Sequence, residues 1–109
     1  LRRLALIAAV LTAQGASAKT YTGSEAAALR CAHTISATAV TMHRFGLIET
    51  RLKDALMFGS VSILTQYVSG TQQEKVAAMR IMSERRTLVE STEDFREIAA
   101  RCARQFPIE

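Results

Sequence analysis

The chain has no tryptophan, a single proline (Pro107), two cysteines and only six aromatic residues of the Tyr and Phe kind, two Tyr and four Phe. A β-sandwich or barrel needs regularly spaced turn residues and strands rich in alternating β-branched and aromatic side chains. Neither pattern occurs, so an all-β fold is excluded. G-x-S-x-G, a glycine-rich phosphate loop and H-E-x-x-H are all missing, which removes the nucleophile-elbow hydrolases, the P-loop enzymes and the zincin proteases. No C-x-x-C-H motif is present to attach haem covalently. There is no internal repeat and no low-complexity linker, and no uninterrupted apolar run reaches the ~20 residues that a bilayer span requires. Large excess charge is missing too. The formal +4 includes Arg2 and Arg3, and the remaining balance is too even and too interspersed to point to nucleic acid.

Those two arginines open an export signal. Arg2-Arg3 form a positive n-region, Leu4 to Ala13 an apolar stretch of ~10 residues, and Ala16-Ser17-Ala18 a small-x-small cleavage site. The pattern predicts a signal peptide over 1–18, cleavage after Ala18, and one helical domain over 19–109. Lys19 follows the site where a lipid-anchored protein would carry cysteine. Leu1 stands where a start Met is expected. The expected address is periplasmic or secreted, without stable membrane insertion after cleavage.

Export gives meaning to the two thiols. Cys31 and Cys102 enter an oxidising compartment, where a lone pair is expected to close into a disulfide. A domain of ~91 residues buries only about 60–65% of its unfolded surface, so a cross-link is useful. Closing a loop of ~70 residues contributes about 4 kcal/mol in the chain-entropy account.

Periodicity and caps predict four helices. The first runs from about Gly23 to Phe45, opened by Thr22-Gly23-Ser24-Glu25 as a capping box and closed by Gly46 in the left-handed region. Its apolar stripe is Ala28, Ala32, Ile35, Ala39 and Met42. The second, about Ile48 to Ser69, carries one stripe of Ile48, Leu52, Leu56, Gly59, Ile63 and Tyr67. A second stripe of Met57, Val61, Leu64 and Val68 lies ~150° away at ~100° per residue. The third starts at the capping box Thr71-Gln72-Gln73-Glu74, and its arc of Ala77, Ala78, Ile81, Met82, Leu88 and Val89 takes it to the end of the eighties. Ser91 and Asp94 mark the fourth, with the stripe Phe95, Ile98, Ala99, Cys102 and Phe106 before Pro107 ends it. At ~1.5 Å per residue Cys31 lies ~12 Å above the floor of the first helix. A climb of ~28 Å and a descent of ~15 Å bring Cys102 to ~13 Å. The expected fold is therefore all-α: a four-helix up-down bundle with one disulfide tying the first and last helices.

Candidate chemistry is sparse. His33 is expected on the surface and His43 beside the negative end of the first helix dipole. Arg85 falls inside the third helix's apolar arc, so it is expected to pair with an acid at the start of the fourth, Asp94 first. Met79 and Met82 have Met-x-x-Met spacing, and Met42 and Met57 add further thioethers of the kind that suit Cu(I). Methionine is also ordinary core filler, and no cofactor or metal is expected. The functional expectation is a small exported, non-enzymatic interaction protein. It would associate with itself as a homodimer or with an envelope protein through the ridge Met57, Val61, Leu64 and Val68. The competing reading is a periplasmic bundle that binds copper or a small apolar ligand.

Overall fold

The computed structural model describes residues 19–108; the expected signal segment, 1–18, lies outside them. Four α-helices follow one another with no strand among the described residues: α1 (Gly23–Arg44), α2 (Thr50–Tyr67), α3 (Gln72–Arg85) and α4 (Leu88–Gln105). They form an all-α four-helix bundle, and the Cys31–Cys102 disulfide links its first and last helices across a Cα–Cα distance of 5.8 Å. No helix among the described residues is long and apolar enough to cross a membrane.

The helices are not equivalent. α1 packs against each of the other three and is the hub of the bundle. Its sequence explains this role. Ala28, Ala32 and Ala39 are fully buried, so partner helices can approach its backbone closely. At that approach Ser60 on α2 donates its hydroxyl to the Ala32 carbonyl at 2.7 Å. On the opposite flank Thr38 donates to the Ser91 carbonyl of α4 at 3.4 Å. Leu29, Ile63, Val68 and Phe106 supply the bulk of the buried hydrocarbon beside the disulfide. This is a core of mostly small side chains, each worth little as buried area. A covalent tie from the hub to the last helix therefore matters more than it would in a leucine-rich bundle.

α1 ends as the sequence predicts. Gly46 takes φ 72°, its N–H reaches the His43 carbonyl at 3.0 Å, and the Leu47 N–H reaches Met42 at 2.9 Å. That pair of bonds is a Schellman motif closed by a left-handed glycine. The start of α1 departs from expectation. Gly23 takes φ 58°, and the Thr22 side chain makes no capping bond. The Glu25 carboxylate, freed from a local box, instead accepts the Ser69 backbone N–H at 2.5 Å. Lys19 donates to the Ser69 hydroxyl at 2.8 Å, and the Tyr21 hydroxyl donates to the Ser69 carbonyl at 2.9 Å. The residues before α1 thus clasp the α2–α3 turn. Gly70, at φ +101°, completes that turn, where a Cβ would stand 2.9 Å from the Tyr21 oxygen.

The third helix is shorter than its apolar arc implies. α3 stops at Arg85, Arg86 is extended at φ −127° and ψ 137°, and Thr87 caps α4. The reason is a second capping box: Glu90 N–H donates to the Thr87 hydroxyl and Thr87 N–H to the Glu90 carboxylate, both at 3.1 Å. Leu88 and Val89 therefore belong to α4. The box has the same Thr-x-x-Glu spacing as Thr71–Glu74, whose two bonds are 2.8 and 3.1 Å. With these ends α3 spans ~21 Å, not ~28 Å, so the level match of the two cysteines does not come from parallel helices rising off one floor.

Candidate functional site

The new α3 boundary decides which arginine turns inward. Arg85, in the last turn of α3, is exposed. Its neighbour Arg86 forms the ion pair with Asp94, and Arg30 on α1 adds a longer contact of 3.4 Å to the same Oδ2. The acid expected from the sequence is the one used, but the cation is one residue later. A helix ending at Arg85 has no continuing phase to carry Arg85 to the inner face, while the extended Arg86 points across the junction.

His33 faces this junction and is buried, 5% exposed, rather than on the surface. His33 lies away from the alanine stripe, but α1 packs against all three other helices and is covered on almost every side. Burial lowers the His33 pKa below the usual histidine value, the Arg86 charge adds to this, and Asp94 opposes it. Nε2 lies 3.3 Å from the Ser83 hydroxyl, whereas Nδ1, with Thr34 Oγ1 and Arg86 Nε, is buried without a hydrogen-bond partner.

A serine beside a histidine invites comparison with a catalytic pair, and the geometry argues against it. No acid orients the ring through Nδ1, and Asp94 is committed to two arginines. Ser83 also donates to the Met79 carbonyl one turn back at 3.1 Å. It sits inside α3, where neighbouring N–H groups are spent on the helix and cannot form an oxyanion hole. His43 lies in the last turn of α1 and shares a 3.1 Å contact with Thr50 across the turn.

The ridge on α2 is not one continuous surface. Val68 is buried at the helix end, and Leu64 packs against the core. Lys75 from α3 covers that end by donating to the Leu64 carbonyl at 2.9 Å. Met57 is half-buried and Val61 is 54% exposed. α3 therefore covers the lower half of the stripe and leaves the upper half open. Beside that open half stands Phe58, 69% exposed, which belonged to neither apolar stripe. Phe45 and Leu47, in the turn before α2, are also largely in water. An aromatic residue outside both stripes was the available sequence signal for an outward-facing contact.

Two depressions flank α2. An open groove of about 520 Å³ is lined by His33 and Val40 of α1, Met57 of α2, and Val76, Met79 and Ser83 of α3, among others. On the other side an apolar cleft of about 320 Å³ lies between α2 and α4, walled by Leu56, Ile63, Phe95, Cys102 and Phe106. The chain end closes the lower part of this cleft. Tyr67 stacks edge-on against Phe106 at 5.1 Å and donates to the Pro107 carbonyl. Ile108 reaches over Gly59, where a Cβ would lie 3.5 Å from its Cδ1.

Among the described residues no group of three or more His, Cys, Asp or Glu gathers to hold a metal ion. Met79 and Met82 do not converge: Met79 lines the groove with His33, while Met82 lines a different depression with Tyr21 and Leu29. The chain matches no family model, and no curated protein or solved structure is significantly similar to it.

Proposed function

We propose that the chain is an extracytoplasmic, non-enzymatic interaction protein that presents the upper outer face of α2 to another protein surface, in the simplest case a second copy of itself. The observation that carries the reading is the pair Phe58 and Val61, 69% and 54% exposed at one helical turn's spacing. Phe45 and Leu47, in the turn before α2, are exposed apolar residues as well, and Arg51 and Asp54 on the first turns of α2 are exposed and charged. An apolar centre with a charged border is the ordinary make-up of a protein interface. The disulfide supports an oxidising compartment, hence a periplasmic or secreted address. Met57 and Val61 remain usable contacts; Leu64 and Val68 act from within, holding the helix that presents them.

Sedimentation of the disulfide-bonded 19–109 chain tests this. A dimer at micromolar concentration is expected, and Phe58→Glu should dissociate it with the helical circular dichroism unchanged. A wild type that stays monomeric at every concentration removes the self-association. Leu64→Glu is the wrong probe, because it places a charge against the core.

A second reading, binding of a small apolar molecule, is favoured by the α2–α4 cleft and its almost wholly apolar wall. An environment-sensitive apolar dye that brightens with the folded chain, and that Gly59→Leu displaces, would support it over the interface.

A further inference from the structure

We propose that α3 is a hinged cover, anchored at its two ends, that lifts off α1 when His33 beneath it takes up a proton. The device is separate from the α2 interface. α3 is the one helix of the four that has no buried residue. Of the three helices that pack on α1 it packs most lightly. Open grooves run along both of its flanks. One, of about 240 Å³, is lined by Tyr21, Leu29 and Met82 among others, and the other, of about 520 Å³, by His33 and Met79 among others. No ion pair among the described residues joins α3 to another helix.

Both ends of α3 are fixed. Before its start, Glu25, Lys19 and Tyr21 hold Ser69, and Gly70 follows at φ +101°, a pivot that glycine adopts without strain. Past its end the single extended residue Arg86 separates α3 from α4, and its side chain is paired with Asp94. Between these anchors the polar ties include the Lys75 bond to the Leu64 carbonyl, 2.9 Å, and the Ser83–His33 contact, 3.3 Å. The other helices are held more firmly: α2 buries Ser60 and Ile63, and α4 is tied to α1 by the disulfide. Local opening starts where the fewest buried contacts are lost, which here is α3.

His33 supplies the trigger. Its Nε2 meets Ser83 of α3, and its Nδ1 is buried without a partner. A protonated ring carries an N–H donor at both nitrogens, so the docked state leaves a charged donor unsatisfied at Nδ1. The surrounding charges add to the cost. Arg86 stands at the hinge and Arg80 of α3 lines the same groove, while Asp94 of α4 is already shared by Arg86 and Arg30 of α1. From α2 only the uncharged Met57 lines that groove. Burial and Arg86 accordingly lower the ring's pKa, and Asp94 opposes them. Lifting α3 removes the Ser83 side of the enclosure and lets water reach the ring. The ratio of lifted to docked chains is then constant above about pH 6.5 and rises as pH falls, by up to about tenfold per unit for one proton.

The test is residue-resolved amide hydrogen exchange on the disulfide-bonded 19–109 chain between pH 7.5 and 5, each rate taken relative to the intrinsic rate at that pH. A helix of 14 residues is marginal on its own, so lifting costs α3 its protection. At every pH the α3 amides should be at least about tenfold less protected than those of residues 28–32 on α1, the mark of an opening short of global unfolding. Their protection should fall by up to about tenfold per unit below pH 6.5. His33→Leu should abolish that fall while α3 stays less protected than α1. If that variant does not fold, Arg86→Gln decides: with a positive charge removed from beside the ring, the docked state holds the proton more readily and the total fall is smaller. Equal protection in α3 and α1, no fall with pH in the wild type, or an unchanged fall in the variant overturns the proposal.

Discussion

Removing the disulfide should cost this protein a large share of its stability. The perturbation is the double replacement Cys31→Ala, Cys102→Ala, which opens a link between residues 71 apart in sequence. For a loop of that length the chain-entropy account gives about 4 kcal/mol at 25 °C. A domain of this size has only about 5–14 kcal/mol in total. The structure adds a second contribution of the same sign. Cys31 and Cys102 are both buried, and they sit where α4 meets the hub helix. Replacing sulfur with a methyl hydrogen there leaves unfilled space. Besides the link, α1 and α4 are held by their packing, the Thr38–Ser91 bond of 3.4 Å and the Arg30 contact to Asp94. Urea unfolding followed by far-ultraviolet circular dichroism measures the effect. With a slope of ~1 kcal/mol per molar, the midpoint should fall by about 4 M. The double variant is therefore expected to be marginal or unfolded at 37 °C. A shift below about 1 M would refute the reasoning, because it would mean that packing of α4 on α1 suffices without the covalent tie.

Acid should destabilise the fold in a window set by His33. Its folded pKa lies below the ordinary 6.5, so its contribution is complete above about pH 6.5 and is lost as pH falls through the folded value. Chemical denaturation between pH 7.5 and 5 should show this loss, and His33→Leu, if folded, should flatten the curve there. Glu25, Glu74 and Glu90 are held below their ordinary 4.5 by hydrogen bonds to Ser69, Thr71 and Thr87. Their contributions are present above about pH 4.5 and disappear at lower pH, in a separate window. The capping assignments are tested by threonine replacement: Thr71→Ala and Thr87→Ala should each cost about 1 kcal/mol, lowering Tm by ~4–8 °C. Thr22→Ala, at a helix start with no side-chain cap bond, should change Tm by far less; equal losses at all three sites would contradict the observed caps.

Local chemistry made much of this fold legible in the sequence. The Thr71 capping box, the glycine stop at Gly46 and the alanine stripe of α1 depend on residues a few positions apart, and each formed as expected. The Cys31–Cys102 bond was legible for a different reason: two thiols in a chain expected to be exported leave one pairing. What the sequence did not settle were contacts whose partners lie far along the chain. Glu25 had a local partner in reach and took a distant one, because Gly23 turned Thr22 away and the α2–α3 turn offered the Ser69 N–H. The break at Arg86 was written locally as Thr87–Glu90, yet the apolar arc through Leu88 and Val89 fits a continuing helix equally well. The choice between Arg85 and Arg86 as the partner of Asp94 followed from that break. Burial was the property least contained in periodicity. A stripe shows which side of a helix is apolar, but only the packed neighbours determine how many sides are covered. α1 is enclosed on nearly all of its surface, which buries His33. α2 is covered by α3 only at its lower end, which leaves Val61 and Phe58 in water.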